Sequence, residues 1–570
     1  MRTGFVSVFQ HPRHVASFFL VVLAIPGCSQ DSTSPRLGMP YDWSHRYVIF
    51  SNSSSPKAMQ AAQQDVRYWQ QKVRMDPANW TETALPRKRK RVDWSVNLGG
   101  AGSAIAPGMY PAKYSFNVNA APDCTNDFVV FALHVAGASN QATIVGYSNL
   151  YTEPGGTGFC PGTGPTVKWA YNTGGAINTS PTLSLDGRKV AWVASANPPV
   201  LHVLTIGTTG SNGTSVTSPA VAGTGNNAVD TEIAYGSVGD TRSSPFVDYT
   251  HDVAYVAADD GKIYKFTGIF RSTPTQVTTS GWPLQIIDGA NHVIVGPVFD
   301  SVSKNLYYAD DIGDFTYIRE VGSTVGVCIG QPVPPCWGQA SYSLTSTAHP
   351  IVEPPIVDSA LQKVYVFVGN DNSGHAHVLQ TDTQLSSFAP EPPIGQGGMD
   401  MFGGVFDHNY FSSPSTGFLY VCGYPPSAPN SSPVLYRIGF NSAGKMNSTH
   451  DANLLALSSN SVVTRCSPMT EFFNTSAGKD WLFVSVPTGC VATGGGAGGC
   501  IMSFDITGGF PAAATQGRPE AGGTSAIVVD NVSTQPQASS IYFTTLGNTT
   551  CGDGVSGGGC AVKLTQSGLN

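Results

Sequence analysis

"VAYVAADDGKIYKFTG", residues 253–268, sets two apolar runs about an Asp-Asp-Gly corner. In an extended chain Val253, Tyr255 and Ala257 point to one side, and Ala254 and Val256 to the other. The strand is apolar on both faces and must be covered on both. Asp260-Gly261 is a two-residue hairpin signal, because a primed turn needs φ > 0, which glycine supplies. Whether that acidic corner is a turn or a binding site depends on whether the pattern stands alone.

It recurs. Copies begin with "SPTLSLDGRKVAWVA" in 180–207 and continue through 244–268, 296–322, 353–382, 403–440, 466–507 and 522–565, with a poorer copy at 114–151. Each has a short strand ending in "xVxD", a turn, a strand such as "KVYVFVG", a second turn and a third strand. The landmark residues Pro181, Pro245, Pro297 and Pro355 lie 64, 52 and 58 residues apart. A strand triplet at that period predicts an all-β chain folded as an eight-bladed β-propeller, seven blades being the alternative. Each blade then covers its neighbour's face, and the Asp-Asp-Gly is a hairpin corner.

Trp169 in "VKWAYNTGG" and Trp282 in "SGWPLQIID" mark outer fourth strands. The same signature surrounds Trp94 in "VDWSVNLGG", ahead of the first copy, while the last copy lacks a fourth strand of its own. The propeller is therefore placed at 92–570, with its N-terminal strand closing the final blade and removing an open edge. All three Trp residues are read as packing between blades.

The 570 residues carry 12% charged side chains, 64 Gly and 40 Pro, as expected of many short strands joined by loops. A net charge of −7 offers no general attraction for nucleic acid. Residues 1–27 read as an export signal: Arg2, Arg13 and His14 precede the apolar "VASFFLVVLAI". Its end, "IPGCSQ", resembles a bacterial lipoprotein signal with Cys28 as the lipidated residue, an ordinary signal peptide being the alternative. Residues 28–91 are read as a tether with a helix over about 56–75, packed on the propeller's side (a partner-binding helix being the alternative), and a basic run at 87–91 that is either solvated linker charge or a contact with anionic lipid headgroups. Residues 29–85 are expected to be dispensable for folding.

Without Cys28, ten of the eleven cysteines remain, as an exported disulfide protein requires. Cys490 and Cys500, Cys551 and Cys560, and Cys328 and Cys336 each bracket a Gly- or Pro-rich excursion that a bridge would pinch closed. Elimination then pairs Cys124 with Cys160 and Cys422 with Cys466.

"VKWAYNTGGAINTSPTLSLDG" joined to "VAYVAADDGKIYKFTG" resembles the repeat of quinoprotein-dehydrogenase-like (PQQ-like) eight-bladed propellers over roughly 92–568. "SLDGRKVAW" alone also resembles the TolB-type repeat. The PQQ-like family includes lipid-anchored members, the BamB-like group. Its enzymes hold their quinone against a disulfide between adjacent cysteines, with a catalytic Asp and Ca²⁺. This chain has no adjacent Cys pair, so no cofactor position carries over.

Three further clusters offer candidate ligand side chains. Asp310, Asp311 and Asp314, and Asn370, Asp371 and Asn372, crowd oxygen ligands, but neither stretch matches a calcium loop and both fall at hairpin turns. His375 and His377 share a strand face without a visible third ligand. No G-x-S-x-G elbow is present. The reading is therefore no catalytic residue, no metal and no cofactor. The chain is expected to be an exported, lipid-anchored binding or scaffold protein of the bacterial outer membrane or periplasm, meeting a protein or glycan at the propeller face. The alternative is a quinoprotein-like oxidoreductase with an atypical site, binding PQQ with calcium.

Overall fold

Each copy of the repeat folds as one antiparallel sheet. The computed structural model describes residues 38–75 and 91–565, apart from 157, 240, 286–292, 322–323, 326–337, 342–350, 372–373, 388, 390–391, 399, 427–431, 460–463, 476, 497, 532, 534 and 536. Eight sheets follow in chain order, their inner strands beginning at Ala112, Thr182, Phe246, Val298, Ile356, Val405, Thr470 and Val528. They are blades one to eight, so the seven-bladed alternative falls.

Blade three shows why the opening strand is apolar on both sides. Val253–Ala258 lies between Phe246–Asp248 and Lys262–Thr267, and all six of its residues are buried. Ala254 and Val256 pack with Ala191, Val193 and Leu201 of blade two. Tyr255 faces the other way and stacks on Phe299 of blade four at 5.8 Å. The corner is a turn: Gly261 has φ +76°, and Asp260 accepts hydrogen bonds from Tyr264 Oη (2.6 Å) and Ser237 N (3.1 Å). The aspartate of "xVxD" has a similar local task. Asp248, Asp300, Asp358 and Asp407 accept backbone N–H bonds from Thr250, Ser303, Leu361 and Tyr410, at 2.8–3.1 Å, and so tie the first turn of their blades.

The final blade takes its outer strand from the other end of the propeller sequence. Arg91–Asn97 pairs antiparallel with Cys560–Thr565, and Asp93 forms a bulge where the register shifts. Trp94 packs between Tyr147 of blade one and Tyr542 of blade eight, and its Nε1 donates to Leu150 O at 2.9 Å. The bulged Asp93 meets Lys563 Nζ at 2.7 Å, both side chains being fully enclosed. Burial raises the Asp93 carboxyl and lowers the Lys563 ammonium, while their attraction opposes both shifts. Lys113 of blade one lies 3.1 Å from Asp530 of blade eight, so a charged seam joins the two blades.

Disulfides link Cys124–Cys160, Cys422–Cys466, Cys490–Cys500 and Cys551–Cys560. Cys28, Cys328, Cys336 and residues 87–90 lie outside the described residues. Among the described residues, no helix is long and apolar enough to cross a membrane.

The single helix expected at 56–75 is two. Pro56–Ala62 is capped by the Ser55 side chain, and Val66–Met75 starts after a turn in which Asp65 Oδ1 accepts from Arg67 N at 2.9 Å. The local Asp65 bond competes with continuous helix, which explains the break. Nor does this segment lie on the outer side of the ring: the second helix meets Val247 of an inner strand and Thr475 and Asn531 just beyond two others, while Pro56–Ala62 stays partly exposed.

The seam gives a test of ring closure. Lys563→Met leaves Asp93 buried without its counter-charge and is expected to cost about 3–5 kcal/mol in urea unfolding. Adding Asp93→Asn should recover most of that loss, because the uncompensated charge is gone. A double variant as unstable as Lys563→Met alone would show that the pair does not carry the closure.

Candidate functional site

"MPYDWSHRYVIF", residues 39–50, is rich in aromatic and apolar side chains that water does not favour. The ring buries them. Met39–Tyr41 adds antiparallel to the inner strand Ala112–Ser115 of blade one. A helical turn, Ser44–Tyr47, follows, and Val48–Ile49 then adds parallel to Ile356–Asp358 of blade five. Blades one and five stand four places apart in a ring of eight, so the segment crosses the channel. Trp43 and Tyr47 are enclosed on the axis, with Trp43 Nε1 donating to Thr182 Oγ1 of blade two at 3.0 Å.

Charged side chains fasten this plug. Arg46 donates to the carbonyls of Gly403 and Met469, in blades six and seven, and lies 3.8 Å from Glu353 of blade five. Burial raises the Glu353 carboxyl, with Arg46 opposing that shift. Arg67 donates to Val247 O of blade three at 2.8 Å and covers the Phe246 and Tyr249 rings. Asp42 accepts from Leu183 N at 3.2 Å and Tyr249 Oη at 3.3 Å. Burial raises its carboxyl, but His45, Arg67 and Ser44 outweigh this and hold it below its usual range. The end of the second helix is tied to blades seven and eight, where Thr475 Oγ1 donates to Met75 O and Asn531 Nδ2 to Arg74 O, each at 2.8 Å.

A cavity of about 100 Å³ remains between the plug and blades six to eight, with Arg74, Glu471 and Asn531 on its wall. Glu471 hydrogen-bonds Asp480, whose carboxylate also accepts from His408 N at 2.8 Å. Burial, reinforced by the neighbouring carboxylate, holds Glu471 well above its usual range. Burial pushes Asp480 up to about 7. The pair retains a proton toward neutral pH.

The other mouth of the channel is open. The loops leading into the inner strands form a cup of about 200 Å³ lined by Met109, Asn178, Arg242, Asp400, Phe402 and Arg465, with His134 at its edge. Arg465 pairs with Asp400 and lies 5.9 Å from the Phe402 ring centre. Arg242 is exposed and, among the described residues, has no carboxylate partner. Below the cup, Trp43, Tyr47 and Tyr110 form the floor.

The residues singled out from sequence fall elsewhere. Asp310 and Asp311 cap their hairpin through Ile312 N (3.1 Å) and Val293 N (3.0 Å), and the Asp314 side chain and Asn372 lie outside the described residues. One hairpin of blade five does bring two of the weighed groups together: Asp371 Oδ2 lies 3.3 Å from His377 Nε2, and Asp371 Oδ1 accepts from His375 N at 2.7 Å. Burial lowers the His377 imidazole despite Asp371. Trp169 and Trp282 are buried packing residues, as Trp94 is. Sequence reasoning missed the plug and the cup. A dense aromatic run at 39–50 directly after a polar stretch was the available signal for the first.

The quinone expected under the oxidoreductase alternative does not fit the axis. No adjacent cysteines exist, and aromatic side chains of the plug occupy the space beneath the cup.

No family model matches this chain, and no curated protein matches it. Among solved structures it is similar to Sqt1 from Chaetomium thermophilum, at 10% identity over 83% of this chain and 98% of that one, TM-score 0.46. It is similar to BamB from Moraxella catarrhalis at 12% identity over 84% and 100%, TM-score 0.39. It is also similar to the dihydro-heme d1 dehydrogenase NirN in complex with DHE, at 12% identity over 79% of each chain, TM-score 0.39. The blade count rests on the chain's own strand pairings.

Two outcomes are expected. Deleting residues 29–85 should abolish the cooperative thermal melt or lower its midpoint steeply, because each large plug side chain contributes about 1.5–3 kcal/mol by burial. An unchanged melt would return the segment to the role of a tether. The carboxyl pair predicts a pH dependence. Both groups have folded pKa values raised above the unfolded ones, so the folded state binds more protons and stability falls as pH rises. For Asp480 the loss should accrue between about pH 4 and pH 7. Glu471→Gln should flatten that slope in chemical unfolding at pH 5 and pH 8, and an unaltered slope would assign the dependence to other groups.

Proposed function

We propose that this chain is a non-catalytic docking scaffold of the bacterial cell envelope, exported, anchored through lipid on Cys28, and holding a protein partner in the cup at the open mouth. The observation that carries this reading is the sealed floor. A channel closed by its own N-terminal segment presents a rigid basin for docking, supported on loops of a stiff ring. Arg242 and Arg465 outnumber Asp400 there, which favours an acidic segment of the partner. Phe402 offers one apolar anchor beside them. A glycan has less support, since sugar faces favour broader aromatic platforms than a single ring. The oxidoreductase reading has less support because the plug fills the axis. The PQQ-like repeat resemblance remains part of the proposal, as a statement about ancestry of the blades.

The experiment places a photo-crosslinking amino acid at Phe402 in cells, with exposed Val221 on blade two as the control position. A discrete adduct is expected at 402 alone, and Arg242→Glu with Arg465→Glu should reduce it at least about tenfold by charge repulsion. An adduct indifferent to both reversals would overturn the cup as the docking surface. Fractionating Cys28→Ala in the same cells separates the two halves of the proposal. The variant should leave the membrane fraction, and retention there would refute the lipid anchor alone.

A further inference from the structure

The outer edge of blade two brings together three residues that lie far apart in sequence. His202 is on Val200–Thr205, and Asp230 and Glu232 are on Val229–Ala234, the outermost strand of the sheet. The antiparallel register sets His202 opposite Glu232 and Leu204 opposite Asp230. With a side-chain period of two, His202, Asp230 and Glu232 share one face. One ligand atom from each lies within 4.8 Å of the others, the only such group of three among the described residues.

The details distinguish this group from an ordinary polar edge. The His202 ring is buried and stacks flat on Trp192, with centroids 5.0 Å apart and planes 4° from parallel. Its Nδ1 lies 3.0 Å from Asp230 Oδ2. The Asp230 side chain is only 8% exposed, yet its second oxygen, Oδ1, is buried without a hydrogen-bond partner. A simple His–Asp bond leaves that oxygen unsatisfied, which buried carboxylates avoid. Glu232 adds a second carboxylate from the solvent side. No Lys or Arg among the described residues pairs with either acid. Two carboxylates and one imidazole around an unsatisfied buried oxygen call for a cation.

We propose that His202, Asp230 and Glu232 form a site for a divalent transition-metal ion of the zinc class. A mixed nitrogen and oxygen set with a histidine suits Zn²⁺ or Co²⁺, whereas Ca²⁺ and Mg²⁺ favour six or more oxygens. Ligand atoms about 2.0–2.1 Å from a tetrahedral ion stand about 3.4 Å apart. The exposed Glu232 has the freedom to close that difference by a change of rotamer. Three protein ligands leave the fourth position to water. The ion would clamp the outermost strand of blade two, whose residues alternate between exposed and partly buried, to the strand inside it. His202 and Asp230 are 28 residues apart, so the group leaves no local motif in the sequence.

The test uses the full chain, freed of metal by chelator and titrated with Co²⁺ and Zn²⁺ by visible absorption and calorimetry. One equivalent is expected per chain, with the visible bands of a tetrahedral Co²⁺ complex. Glu232→Gln, exposed and without a partner among the described residues, should fold as the parent and weaken binding at least about tenfold, and Asp230→Asn should do the same. His375→Ala with His377→Ala removes the other weighed histidine pair and should leave the affinity unchanged. Absence of binding in the parent, unchanged binding in Glu232→Gln, or loss of binding only in the His375 and His377 variant would each overturn the assignment.

Discussion

Eight blades packed face to face leave eight inner strands pointing at an axis where no neighbour completes them. Their backbone N–H and C=O groups and the side chains between them must meet something polar and something apolar at once. Residues 38–75 meet both needs. The segment pairs as a strand with blades one and five, donates Arg46 and Arg67 to carbonyls of blades three, six and seven, and places Trp43 and Tyr47 where apolar surface is left over. The plug is thus part of the core, although it precedes the repeat.

The cost of that solution is buried charge. Arg46 with Glu353 at the axis and Lys563 with Asp93 at the seam are ion pairs taken out of water, where attraction does little more than offset desolvation. Their contribution is positional. Arg46 reaches three blades at once, and an apolar side chain in its place would accept any rotation of the plug. The seam acts likewise: the Asp93 bulge meets Lys563 in one register only, so a strand slipped by one residue would bury both charges alone.

The blades were legible because their physics repeats. A period of two, apolar on both faces and punctuated by Asp and Gly, has one economical solution, and eight copies reinforce each other. Ring closure was legible for the same reason, since Trp94 stands in the frame of Trp169 and Trp282. The plug was not legible. Its strands, Met39–Tyr41 and Val48–Ile49, hold three and two residues, too few for periodicity to speak. Its helices carry Arg67 and Gln70 on buried positions, against the amphipathic pattern from which a surface helix is read. Both depend on partners hundreds of residues away. The cup depends on loops from six blades, and the His202 group on a cross-strand register spanning a long excursion, so neither leaves a local trace.

Plug and cup are consequences of each other. Strand addition fixes the segment within the ring, and its first helix borders a cavity of about 1000 Å³ against blades three to five on one side, while the smaller cup lies above the aromatic floor. The aromatic floor lies directly beneath the loops that carry Arg242 and Phe402, so the cup is shallow and bounded by packed side chains. The same aromatic residues that fill the axis therefore also bound the cup from below.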